Sequence, residues 1–308
     1  MTLHAITTYF NPCGYKSRRA NYDRFRSALD NAGVPCLTVE AAFGDAPFDL
    51  EPALGVVQLR TDSLLWQKER LLNLAASWLP RRVTSVAWLD ADILFQNTDW
   101  PKDLRRALTR APVAQLWSTC HRLGPFDAIT DDRVVSFAQR MQSSRSLLDV
   151  GRYDAHGHTG YAWAMRRDIF DSVGLYEGGV VGNADHFLGH AIYDCYNHCI
   201  VNALKHDAKQ IEHLRSWGER FYARVRGQLA VVPGEIEHLW HGDLADRQYF
   251  SRMHVITDLG YNPWTDIVAP AGRPLEWSDG TRSTKPELCN YFNHYFQSRK
   301  EDGYANVG

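Results

Sequence analysis

The chain lacks several features that would narrow its class at once. In its 308 residues no stretch approaches the ~20 consecutive apolar residues that a membrane-spanning helix needs. The opening "MTLHAITTYFNPCG" has no basic region leading into a long apolar run, so the reading is a chain without a membrane span. Charge of one sign is missing too: 34 Lys and Arg against 36 Asp and Glu leave a net charge of -2, which excludes a general polyanion binder but not a local basic cluster. Six cysteines, Cys13, Cys36, Cys120, Cys195, Cys199 and Cys289, form no C-x-x-C pair. Cys195 and Cys199 are four apart, and two ligands make no zinc site. Reduced thiols in a cytoplasmic setting are the simplest expectation. There is no internal repeat and no low-complexity linker.

Aromatic residues, by contrast, are abundant, with ten Trp and fourteen Tyr. Such rings build cores first and sugar or base platforms second. The first ninety residues alternate strand and helix. "LHAITTYF" (3–10) reads as a strand, "SRRANYDRFRSALDNAG" as a helix stopped by Gly33, "PCLTVEAAF" and "GVVQLR" as strands. "SLLWQKERLLNLAASWLP" reads as a helix capped by Ser63 and ended at Pro80. The alternation predicts an α/β layer fold with mostly parallel strands, whose ligands bind at the strands' carboxyl ends. Further on, "APVAQLWS" and "GYAWAMR" read as strands, and "RVVSFAQRMQSSRSLL", "ADHFLGHAIYDCY" and "KQIEHLRSWGERFYARVRG" as helices. "LAVVPGEIEHLWHG" gives two short strands around Pro233-Gly234, "DRQYFSRMHVITDLG" a last helix, and the stretch after Tyr261 a tail wrapping the surface.

Four segments carry groups that do chemistry. In "SVAWLDADILF" (85–95) an apolar strand delivers Asp90 and Asp92 one residue apart. Buried carboxylates need partners, and a D-x-D at a strand end suits a hard divalent cation shared with phosphates. It equally suits a solvated turn or a helix cap. "HLWHG" places His238 and His241 three apart before Gly242, where an imidazole ligand or a pair of surface histidines both fit. "GGVVGNADHFLGHA" (178–191) leads through glycines to Asp185 in the first turn of a helix, where the positive helix end favours an ionised carboxylate. His186 and His190 share that helix like half of a zinc-protease motif, but Phe187 stands where its glutamate belongs, which argues against a hydrolase. "HGHTGYAWAMRRDIF" (156–170) sets Tyr161 and Trp163 beyond Gly160, which permits close backbone approach.

Together these segments resemble the nucleotide-sugar glycosyltransferases of the GT-A fold, galactosyltransferase-like or family 2-like, over roughly residues 3–245; "QKERLLNLA" ahead of "VAWLDADILF" carries much of the likeness. The resemblance implies a single Rossmann-like α/β domain over 1–245, its mostly parallel central sheet flanked by helices, and a C-terminal extension over 246–308. It implies a hexosyl- or pentosyltransferase using a nucleoside diphosphate sugar, UDP-linked, with Mn²⁺ or Mg²⁺ as cofactor. Carried over, Asp90 and Asp92 hold the metal with His241, or with His238 instead. Thr8, Tyr9, Asn11, Lys68, Asp90, Gly160 and Trp163 hold the donor, and Asp185 is the base of an inverting transfer. Many inverting relatives have Glu-Asp where this chain has Ala184-Asp185. The acceptor is a glycan, a small molecule or, from the arginines beside aromatics in "KSRRANYDRFR" and "RQYFSR", a nucleic acid with a hydroxylated base. The competing readings are a metal-dependent phosphoesterase or hydrolase, and an inactive carbohydrate- or nucleic-acid-binding module.

Overall fold

A computed structural model describes residues 1–150, 155–249 and 251–303. In chain order the elements are β1 (Leu3–Tyr9), α1 (Lys16–Asn31), β2 (Cys36–Phe43), β3 (Val56–Thr61), α2 (Lys68–Trp78), β4 (Ser85–Leu89), β5 (Ile93–Phe95), α3 (Trp100–Arg110), β6 (Val113–Gln115), β7 (Thr119–Arg122), β8 (Arg133–Val135) and α4 (Phe137–Ser143). There follow β9 (Ala162–Arg166), α5 (Arg167–Val173), α6 (Ala184–Ile192), α7 (His198–Ala203), α8 (Ala208–Val225), β10 (Leu229–Val231), β11 (Glu235–His238), α9 (Ser251–Asp258), β12 (Ile267–Val268), β13 (Glu276–Trp277), α10 (Asp279–Thr284) and α11 (Pro286–Ser298).

The main sheet has seven strands in the order β10-β6-β9-β4-β1-β2-β3. β1 pairs in parallel with β2 and β4, β2 with β3, and β10 with β6; β9 alone runs antiparallel, between β4 and β6. β4 is buried along its whole length, the pattern of a central strand covered on both faces. α1 turns Tyr22, Phe25 and Leu29 inward at helical spacing, and α2 buries Leu71, Leu72, Leu74 and Ala75. From β1 the chain passes to β2 on one side, while β4 lies on the other. The crevice at such a switch point, beyond the strands' carboxyl ends, is where α/β sheets bind ligands.

A second sheet, β5-β11-β7-β8, brings β11 to that crevice. β11 runs antiparallel to β5 with His238 opposite Ile93, and the Leu239 N–H donates to the Asp92 carbonyl at 2.8 Å. The two strands read around Pro233-Gly234 therefore belong to different sheets: β10 extends the main sheet, and β11 crosses to the D-x-D.

Three expectations change. α2 begins at Lys68, and Ser63 is no cap: its hydroxyl lies 2.7 Å from Glu276 and accepts from the Trp277 N–H, tying the segment to β13. The helix expected over 133–148 divides into β8 and α4, because Ser136 caps α4 by accepting from the Gln139 N–H. The segment after Tyr261 is more than a wrapping tail. It forms α10 and α11, and α11 buries Leu288, Phe292, Tyr295 and Phe296 in the main core.

Candidate active site

At the carboxyl ends of β1 and β4 lies a cleft enclosing about 1080 Å³, open solvent included, at the upper end of the usual range for small-molecule sites. β1 contributes Thr8 and Tyr9, α2 contributes Lys68, and the turn after β4 contributes Asp90 and Asp92. The approach to β9 adds His158, Gly160 and Tyr161, α6 adds Asp185, and His238 and His241 come from β11 and just beyond it.

The two carboxylates of the D-x-D have different partners. Asp90 Oδ1 is 2.6 Å from Lys68 Nζ, and its Oδ2 accepts from the Tyr161 N–H at 3.2 Å. Lys68 Nζ also donates to Asp185 Oδ2 at 2.9 Å, so one ammonium joins Asp90 to Asp185. Burial alone would lower the Lys68 pKa; Asp185 and Asp90 outweigh it and hold the ammonium well above its usual value. Burial pushes Asp90 up to about 6 against the pull of Lys68, with Asp185 and Asp92 adding to the rise.

Asp92 faces the histidines. Its Oδ2 lies 2.8 Å from His241 Nε2 and 3.8 Å from His238 Nε2, and the two nitrogens are 3.2 Å apart. Burial would raise Asp92, but His241 and His238 hold it below the usual carboxylate range. Burial, opposed by Asp92, depresses His238 well below an ordinary histidine.

The chemistry of this set suits a divalent cation. One carboxylate oxygen and two imidazole nitrogens converge within 4.8 Å. Asp92 Oδ1 is buried with no hydrogen-bond partner among the described residues, a cost that a cation would remove. Both histidines of "HLWHG" join the cluster, whereas Asp90 stands outside it on Lys68.

Two expected donor contacts are not lining residues. Trp163 is 0% exposed and stacks on Trp88 in the core, its indole N–H donating to the Thr159 carbonyl. Tyr161 precedes β9, and its positive φ breaks the strand's alternation, so its ring lines the cleft while Trp163 packs in the core. Asn11 donates to Asp49 Oδ2 at 3.0 Å and to the Tyr15 carbonyl at 2.9 Å, bracing the loop after β1 from behind. Gly160 lines the cleft as expected of a close approach: a Cβ there would stand 2.9 Å from His158 Cε1.

Tyr161, singled out beside Gly160, lines the cleft, and arginines from distant parts of the chain join it. Tyr161 has φ 83°, a strained backbone that costs on the order of 1–3 kcal/mol and concentrates at functional sites. Its ring lies between His158, 4.3 Å away by centroids, and His238, 4.8 Å away. Arg18, Arg247, Arg252 and Arg299 form a cationic wall, three of them from beyond residue 245. Behind it Glu301, 0% exposed, pairs with Arg18 and Arg299 and reaches His241 Nδ1 at 3.5 Å.

The chain matches no protein-family model and no curated protein. Among solved structures it is similar to β1,4-galactosyltransferase 7 of Drosophila. In the catalytic domain with xylobiose the likeness covers 63% of this chain and 62% of that one, at 13% identity and TM-score 0.33. In a mutant of that enzyme with manganese, UDP-Gal and xylobiose it covers 94% and 99%, at 11% identity and TM-score 0.41. It is also similar to mannosyl-3-phosphoglycerate synthase of Rubrobacter xylanophilus, over 90% of this chain and 83% of that one, at 14% identity and TM-score 0.41. These likenesses are slight; the mixed α/β fold, with its large, mostly parallel sheet flanked by helices, rests on this chain's own strand pairing.

Proposed function

We propose that this chain is a metal-dependent glycosyltransferase that moves a sugar from a nucleoside diphosphate, UDP by preference, to a hydroxyl acceptor. The observation that carries the reading is the meeting of Asp92, His238 and His241 across two sheets at the switch-point crevice, beside a wall of arginines. Two imidazoles beside one carboxylate favour manganese over magnesium, which prefers oxygen ligands. The metal, held by those three residues, would act as a Lewis acid on the departing diphosphate.

The other steps belong to the chain. The arginine wall supplies charge-assisted hydrogen bonds to phosphate oxygens. Thr8 and Tyr9 border the nucleotide end, and Gly160 leaves room for the sugar. Asp185, across the cleft, takes the acceptor's proton as the hydroxyl attacks the anomeric carbon from the face opposite the diphosphate, which inverts the configuration. Lys68 positions Asp185 against Asp90. Such general-base assistance is worth ~10²–10⁴ in rate.

The test is a screen of nucleoside diphosphate sugars for slow hydrolysis with and without Mn²⁺. A transferase releases sugar from one donor only when metal is present. Release from none, with the same nucleotides still bound, would identify an inactive binding module. Hydrolysis of simple phosphate esters instead would identify a phosphoesterase.

A further inference from the structure

Beneath the cleft lies a second cluster that glycosyl transfer does not use. His156 precedes β9, His186 and His190 lie one turn apart on α6, and Cys199 stands on α7. All four side chains are buried, and their candidate ligand atoms lie within 4.8 Å of one another. Cys199 Sγ is 3.3 Å from His186 Nε2 and 3.7 Å from His156 Nε2. In tetrahedral zinc, with Zn–N about 2.0–2.1 Å and Zn–S about 2.3 Å, an N···S edge is about 3.6 Å. The three rings surround one point, with centroids 5.2, 5.2 and 4.7 Å apart.

The hydrogen bonds around the rings fix which nitrogens face inward. His190 Nδ1 lies 2.8 Å from the Cys195 carbonyl, and His156 Nδ1 lies 3.0 Å from the Gly157 carbonyl. A carbonyl only accepts, so each Nδ1 carries the proton and each Nε2 presents a lone pair. This is the usual support of a metal-bound imidazole. His190 Nε2 is buried with no hydrogen-bond partner among the described residues.

We propose that His156, His186, His190 and Cys199 form a structural zinc site. Zinc binds as Cys199 loses its thiol proton to solvent, and three neutral imidazoles with one thiolate leave the site at a single positive charge. With four protein ligands no position stays open for water, so the site is a staple and not a second catalytic centre. It joins the segment before β9 to α6 and α7, and it fixes the helical turn that carries Asp185. His186 itself borders the cleft. The proposal is independent of glycosyl transfer and stands if that reading fails.

The test is metal analysis of protein expressed with zinc, kept reduced and desalted. Wild type and Asp92→Asn are expected to retain about one zinc per chain, and Cys199→Ser and His190→Gln less than about a tenth of that, as expected for metal bound only by the folded ligand set. Zinc-free wild type, or Cys199→Ser with a wild-type zinc content, overturns the proposal. If the variants do not fold, cobalt-loaded wild type decides. A thiolate-to-cobalt charge-transfer band with intense tetrahedral d–d bands supports the site. Their absence overturns it, since the cluster of Asp92, His238 and His241 has no sulfur to give that band.

Discussion

Asp90 and Asp92 stand one residue apart and do different work because their partners differ. Lys68 takes Asp90 and links it to Asp185; the two histidines take Asp92. Asp185→Asn is therefore expected to bind UDP as wild type does and to transfer at least ~10²-fold more slowly. Unchanged transfer, or a product with retained anomeric configuration, removes the base role. Beside Lys68, burial pushes Glu69 up to about 8, with Lys68 opposing and Asp185 adding. The folded state thus holds a proton that the unfolded chain releases near pH 4.5. Glu69 accordingly contributes stability that is complete below that value and is lost as pH rises through about 8. Glu69→Gln should flatten this fall: denaturant unfolding at about pH 5 would match wild type, and at about pH 9 the variant would be the more stable. A parallel pH dependence in the two proteins contradicts the assignment. Asp92, His238, His241 and Asp185 were legible because their chemistry is local: a carboxylate at a strand end, imidazoles by a glycine, an Asp opening a helix. Glu301, Arg299 and His158 were not, because nothing beside them in the chain marks them. Trp163 packs in the core instead, because the left-handed backbone at Tyr161, just before β9, sends the two rings different ways.

At the scale of elements, the site is assembled by register. β11 is short, but its pairing with β5 sets His238 beside the D-x-D, and Gly242 then turns the chain away. Gly242 has φ +87°, and a Cβ there would come within 2.8 Å of the Lys300 carbonyl and 2.9 Å of the Arg299 carbonyl. Gly242→Ala should cost about 1–3 kcal/mol of stability and weaken Mn²⁺ binding in the presence of UDP, both read by denaturant melts and calorimetry. A stable variant with wild-type metal affinity would show that this turn does not position His241. The parallel βαβ start was readable because apolar strands and amphipathic helices alternate cleanly there. The crossing of β11 into the second sheet was not, because two short strands around a Pro-Gly turn look like a hairpin, and only tertiary pairing separates them.

Across the whole molecule, residues near the C-terminus, Arg247, Arg252 and Arg299, line the cleft beside residues from the chain's first ninety. Glu301 neutralises Arg18 from α1 and Arg299, and touches His241. Glu301→Gln leaves the buried Arg299 and the half-buried Arg18 without their carboxylate and should destabilise by roughly 3–5 kcal/mol, measured by denaturant unfolding; a loss near zero would show that the C-terminal segment is not held by this network. Its contribution was hidden in the sequence because a segment rich in Pro, Gly, Asn and Trp reads as surface loop, while the burial of Phe292 and Tyr295 comes from distant partners. The proposed transfer requires a divalent metal and a nucleoside diphosphate to bind together at Asp92, His238 and His241. Calorimetric titration of Mn²⁺ into protein saturated with UDP tests it most directly. About one Mn²⁺ per chain is expected in wild type, and at least ~10-fold weaker binding in His238→Ala and in His241→Ala, as for loss of a metal ligand. Equal Mn²⁺ affinity in all three proteins would contradict it.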